Sequence, residues 1–90
     1  MKPPTTLSLP HALDRFIERC PAIVCLRSWS ACEALLRTLM TNMTYRLGTW
    51  DAGALDGLGQ ALYEVDFERF TVVGTVDGDG VLRTINACEE

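Results

Sequence analysis

Four cysteines and one histidine are the side chains with the greatest capacity for chemistry. Cys20, Cys25, Cys32 and Cys88 follow the spacing C-x4-C-x6-C and then a gap of 55 residues, which matches no usual zinc pattern. Cys25 and Cys32 fall where a strand and a helix need apolar side chains. The sequence therefore predicts reduced, mostly buried thiols and neither a metal site nor a structural disulfide. His11 has no Ser, Cys or Asp motif beside it and is predicted to be a surface histidine.

Paired carboxylates are a second candidate for catalysis. Asp51, Asp56, Glu64 and Asp66 are close in sequence, but no spacing isolates two of them in an apolar pocket, as a general acid/base pair requires. A chain of 90 residues also has little room for both a core and a shielded substrate pocket. We expect no catalytic residues, no cofactor and no metal, and hence a protein that is not an enzyme.

The charge is divided unevenly along the chain. The net charge is −4, yet residues 1–50 carry +3 and residues 51–90 carry −7. A second half with this much negative charge is poorly suited to binding nucleic acid and well suited to binding a basic protein surface. The alternative is that these acids only keep the surface solvated.

The first half of the chain has two amphipathic helical patterns with a short apolar run between them. Residues 9–20 predict one helix, which Pro21 ends. Residues 30–43 predict the central helix, with Ser30 and Glu33 as a capping box. Between them, residues 22–26 (AIVCL) are rich in β-branched side chains and predict an interior strand.

The second half predicts a less regular region and then a hairpin. Residues 43–50 fit either a helix end with a loop, which we favour, or a short strand; residues 51–64 predict an irregular helix, firmest over 59–64. Residues 70–76 and 81–87 flank the turn sequence DGDG and predict a β-hairpin with Val76 opposite Val81. The DGDG segment lacks the further ligands of a calcium loop.

Together these elements predict a single small α+β domain. We expect a flexible N-terminal tail over residues 1–7 and one domain over residues 8–90, with a sheet of about three strands. No run is long enough for a membrane helix, and no secretory signal is evident, so we expect a cytoplasmic protein.

Aromatic side chains next to acids are typical of protein-binding surfaces. The residues that combine these features are expected to bind a partner: Trp50, Asp51, Asp56, Tyr63, Glu64, Asp66 and Phe67.

The segments AIVCL, SWSACEALLRTLM, LGTWDAGALDGL and FTVV occur in an order that resembles barstar-type ribonuclease inhibitors over about half of the chain. That resemblance implies a strand, a helix, an acidic contact segment and a further strand, with Trp50, Asp51 and Asp56 near an inhibitory surface. The chain departs from the family pattern because the motif's Asn is missing and Gly53-Ala54 interrupts it. The leading helix and the closing hairpin do not fit the pattern either.

We therefore expect a small acidic binding protein that inhibits or modulates a larger, basic protein that handles nucleic acid, as immunity proteins and phage anti-defence or anti-CRISPR inhibitors do. One alternative is a homo-oligomeric structural or regulatory subunit, such as a homodimer that buries the hairpin edge. Another is a nucleic-acid-binding regulator that uses the scattered arginines, which the net charge opposes.

Overall fold

The computed structural model describes residues 2–46 and 60–90, and it confirms a small α+β architecture. These two ranges contain three helices and five strands, in the order β1 (Thr6–Leu7), α1 (His11–Arg19), α2 (Pro21–Val24), α3 (Trp29–Thr41), β2 (Thr44–Tyr45), β3 (Ala61–Phe67), β4 (Phe70–Val76) and β5 (Val81–Glu89). None of the helices in these two ranges is long and apolar enough to cross a membrane.

The strands form one sheet in the order β1-β5-β4-β3-β2, instead of the expected three strands. Among the described strands, β1 pairs with β5 in parallel and the other neighbouring pairs are antiparallel. Thr6 and Leu7 belong to the segment expected to be a flexible tail, but they pair with Val81 and Leu82 at the start of β5. The amide of Thr5 also donates to the carbonyl of Gly80, so the chain is held to the sheet from this point.

The hairpin of β4 and β5 is confirmed, but its register differs from the expected one. Val76 lies opposite Leu82 rather than Val81, and the pairing shifts twice along the hairpin, between Val73 and Gly74 and between Thr75 and Val76. Such β-bulges change which face of the sheet the following residues occupy. As a result Leu82 and Ile85 are both fully buried on the helix-bearing face.

The core lies between this face and the helices. α1 packs on β5, and α3 packs on α1 and β3. The apolar faces predicted from the 3.6-residue spacing of the two helical patterns face the core, where Leu13, Phe16 and Leu36 are completely buried. Fully burying each of these side chains contributes roughly 1.5–3 kcal/mol.

The start of α3 is not the expected capping box. Ser28 is the N-cap, and its hydroxyl oxygen accepts a hydrogen bond from the amide of Ala31 at 3.2 Å. Ser30 is already inside the helix, and Glu33 accepts from the Arg37 guanidinium, one turn later, at 3.2 Å. The helix was correctly located, but its cap lies two residues earlier.

The expected interior strand over residues 22–26 is wrong. Pro21–Val24 forms a single helical turn, because a proline at the first helical position is already in helical conformation. The amide of Arg27 then donates to the carbonyl of Val24 at 2.9 Å, which closes a turn with Leu26 at a φ of 63°. The side chain of Leu26 is fully exposed, at 102% of its reference area, so this run contributes no strand to the sheet.

The expected helix over residues 59–64 is also wrong, since residues 61–64 begin strand β3. In the segment 43–50 we favoured a helix end with a loop, but α3 ends at Thr41 and Thr44–Tyr45 forms strand β2, as the short-strand alternative predicted. The remainder of these two segments, residues 47–59, lies outside the described residues. Because residues 22–26 are not a strand, the strand–helix order that carried the resemblance to barstar-type inhibitors is not found.

Candidate functional site

The predicted partner-binding residues divide into three groups. Trp50, Asp51 and Asp56 lie outside the described residues, and the other four are all on β3. Because side chains alternate between the faces of a strand, Tyr63 and Phe67 lie on the helix-bearing face, where both pack against the core. Tyr63 is only 5% exposed and stacks edge-on against Tyr45, with ring centroids 6.0 Å apart. The remaining two residues, Glu64 and Asp66, lie together on the outer face.

The register of the sheet brings acids from β5 to the same outer face. Asp66 lies opposite Thr71 of β4, and Thr71 lies opposite Glu89 of β5. Strands are about 4.8 Å apart, so the backbones of Asp66 and Glu89 are roughly 10 Å apart, with one strand between them. The hydroxyl of Thr71 donates to the Asp66 carboxylate at 2.8 Å.

Arg46, just after β2, lies between two of these carboxylates. Its guanidinium nitrogens are 3.0 Å from Glu89 Oε1 and 3.6 Å from Glu64 Oε1. The hydrogen bond to Glu89 raises the pKa of Arg46, burial opposes this rise, and the charges of Glu89 and Glu64 add to it. The guanidinium therefore stays charged and reaches from β3 to β5 across β4.

More carboxylates lie at the end of the sheet where β3 turns into β4. Glu68 begins the two-residue turn and has a φ of 55°. Arg69, the next residue, pairs with Glu90 at 3.2 Å, which shows that the end of the chain lies beside this turn. We call the carboxylates of this region the acidic sheet end; they are Glu64, Asp66, Glu68, Glu89 and Glu90. Against Arg46 and Arg69, these five groups leave a net charge of −3.

At the opposite end of the sheet, the carboxylate of Asp77 has a structural role. Asp77 Oδ1 accepts from the amides of Asp79 and Val81 at 2.9 and 3.1 Å, and its Oδ2 accepts from Arg83 at 2.6 Å. Burial opposes ionisation of Asp77, but these hydrogen bonds outweigh it and lower the pKa of the carboxyl. Hydrogen bonds to Asp77, the first residue of the DGDG segment, thus stabilise the turn between β4 and β5.

A cleft of about 550 Å³ lies beside this turn. Its walls come from the N-terminal segment, the Tyr45–Tyr63 pair and the β4–β5 turn. His11 and the four cysteines do not line it. Across residues 2–46 and 60–90, no three His, Cys, Asp or Glu side chains come close enough together to hold a metal ion. The cleft offers apolar and aromatic contact but no nucleophile–base pair from the described residues.

Sequence reasoning missed Arg46, Glu68, Glu89 and Glu90 as members of this region. Arg46, Glu89 and Glu90 reach this region only through contacts between segments far apart in sequence, which residue spacing does not report. Glu68, by contrast, directly follows β3. One local signal was present: Ala61, Tyr63, Val65 and Phe67 alternate with Leu62, Glu64 and Asp66. That two-residue period predicts a half-buried strand with its acids on one face.

The chain matches no protein-family model, no curated protein and no solved structure.

Proposed function

We propose that this protein is a small acidic binding protein without catalytic activity, and that its acidic sheet end docks on a basic surface of a larger protein that handles nucleic acid. Occupation of that surface inhibits or modulates the larger protein. The helices pack on the opposite face of the sheet and enclose the core there.

The observation that carries the proposal is the convergence of five carboxylates on one end of the sheet. They come from two distant parts of the sequence, β3 with its following turn and the end of β5, and the register through Thr71 places Asp66 of β3 near Glu89 of β5. Strands hold side chains at fixed spacings, so a partner meets an ordered set of charges. Charge complementarity of this kind speeds encounter and selects among partners.

A basic surface is the natural complement, and a clustered basic patch is the characteristic electrostatic feature of nucleic-acid-binding proteins. Lysines and arginines that neutralise phosphates also attract carboxylates. A protein that covers them competes directly with nucleic acid for the same charges. This is the physical basis for inhibition without catalysis.

The proposal is tested with two variants that change the net charge equally. Asp66→Lys/Glu68→Lys reverses two charges of the acidic sheet end, whereas Asp14→Lys/Asp79→Lys reverses two exposed acids elsewhere. Each tagged protein is used to capture partners from native lysate, with washes at low and at high salt. Circular dichroism checks that all three proteins remain folded.

We expect the unmodified protein and the Asp14/Asp79 variant to retain the same basic protein, which high salt releases, and the Asp66/Glu68 variant to lose it. If both variants lose the partner equally, net charge rather than this surface is responsible. If the Asp66/Glu68 variant keeps the partner, the acidic sheet end is not the docking site. A gel shift with nucleic acid at low salt by the unmodified protein would favour the nucleic-acid-binding alternative instead.

A further inference from the structure

The bulge between Val73 and Gly74 places Cys88 on the helix-bearing face of the sheet. In a regular hairpin, residues 85 and 88 would point to opposite faces, because they are three positions apart. In this sheet Ile85 lies opposite Gly74 and Cys88 lies opposite Val72. Both partners belong to the same side of β4, so Cys88 packs against the core beside Ile85.

Cys20 approaches the same region of the core from the end of α1. It follows the last residue of α1, and α1 packs directly on β5. Arg19 fixes this end of the helix, since its guanidinium donates to the carbonyls of Ile85 and Asn86 at 3.2 Å each. Cys20 belongs to the core cluster against which Cys88 packs, so the two side chains lie in the same part of the core.

We propose that Cys20 and Cys88 form a redox-responsive pair, which closes into a disulfide when the folded protein meets a small disulfide oxidant such as oxidised glutathione. The bond would tie the end of α1 to the end of β5, next to Glu89 and Glu90. The inference is independent of the proposed function, because it concerns the opposite face of the sheet.

The two cysteines have different roles in this step. Cys20 is completely buried, whereas Cys88 is partly exposed. Burial raises the pKa of the Cys20 thiol, and the neighbouring Cys88 thiol raises it further. Cys20 therefore stays protonated while Cys88 reacts first.

The exchange balances in two displacements. The Cys88 sulfur, after losing its proton to solvent, attacks oxidised glutathione and releases one glutathione. The Cys20 sulfur then attacks the Cys88 sulfur and releases the second glutathione, while the Cys20 proton passes to solvent. Two protein thiols lose two electrons in total, and one glutathione disulfide becomes two glutathione thiols.

The test uses Cys25→Ser protein, because Cys25 is exposed and would share a tryptic peptide with Cys20. The folded protein is treated with oxidised glutathione, its free thiols are blocked, and trypsin, which cleaves after arginine, then gives residues 20–27 and 84–90 as separate peptides. The matched control is Cys25→Ser/Cys88→Ser. A parallel sample is oxidised in denaturant.

We expect a cross-link between peptides 20–27 and 84–90, with a protein mass lower by two hydrogen atoms and no retained glutathione. Its yield should fall by about tenfold or more in denaturant, because folding holds the two sulfurs at a high effective concentration. The control should form no such link. Glutathione that remains on Cys88, a link from Cys88 to Cys32, or equal yields in denaturant would overturn the proposal.

Discussion

The carboxylate of Asp77 accepts three hydrogen bonds within the turn that joins β4 to β5. Two come from the backbone amides of Asp79 and Val81, and the third comes from Arg83 of β5. Hydrogen bonds to an ionised group contribute more than neutral ones. A single side chain thereby fixes both the shape of the turn and the start of the last strand.

Replacing Asp77 by Asn removes the charge but keeps an acceptor oxygen. We expect a loss of about 1–2 kcal/mol in the free energy of unfolding at neutral pH, from the weakened bonds to Arg83 and the amides. Because the pKa of Asp77 is lowered by folding, its carboxylate stabilises the fold above the ordinary aspartate pKa. This contribution disappears as the pH falls through the lowered pKa.

Urea unfolding of Asp77→Asn and of unmodified protein at several pH values measures this difference. Asp79→Asn is the matched control, because it removes the same charge from an exposed position in the same turn. A difference between Asp77→Asn and unmodified protein that stays constant down to the most acidic pH would contradict the role assigned to the ionised carboxylate.

At the scale of elements, residue spacing predicted those helices and turns whose conformation depends mainly on residues near each other in sequence. The apolar stripes of α1 and α3 and the DGDG turn could be located from spacing alone. The run AIVCL could not, because a short apolar run fits a strand or a buried helical turn equally well and Pro21 favours the latter. For β3, leucines at helical spacing masked a two-residue alternation.

The candidate site was predictable only in part for a related reason. Glu64 and Asp66 were identified as acids next to the aromatic residues Tyr63 and Phe67. Glu89 and Arg46 join them through pairing across the sheet. Two bulges determine which side chains of β5 face the core. The pattern of apolar and polar residues over 81–89 does not predict these bulges.

The bulged hairpin makes a prediction at Gly74. A Cβ atom at this position would lie 2.7 Å from Leu82 Cδ1 and 2.9 Å from the carbonyl oxygen of Thr84. The backbone oxygen cannot rotate away as a side chain can, so Gly74→Ala should destabilise the protein by about 1–3 kcal/mol. Urea unfolding measures the change.

Gly80→Ala is an informative comparison in the same hairpin. Gly80 has a φ of 79°, but the nearest contact of its added Cβ is an ordinary 3.6 Å, to Thr5 Oγ1. Gly80→Ala should therefore lower the free energy of unfolding by about 1–2 kcal/mol, only because alanine is strained in the left-handed backbone conformation. Stability of Gly74→Ala equal to that of unmodified protein would show that the hairpin tolerates a different register at the bulge.

At the scale of the whole molecule, the described edges of the sheet are poor templates for another strand. β1 and β2, the outermost strands, have two residues each. Beyond the short pairing with β1, the carbonyls of Ile85 and Asn86 on β5 accept from Arg19. Short edge strands and covered carbonyls are devices that keep sheets from pairing with copies of themselves.

We therefore expect a monomer of about 10 kDa by light scattering over a wide range of concentration. Arg19→Gln should uncover the carbonyls of Ile85 and Asn86 and increase self-association. Arg15→Gln is the control, because it removes the same charge from α1 but only a surface pair with Glu18. A dimeric unmodified protein would support the homo-oligomeric alternative. Equal association of the two variants would mean that charge, and not the uncovered edge, controls assembly.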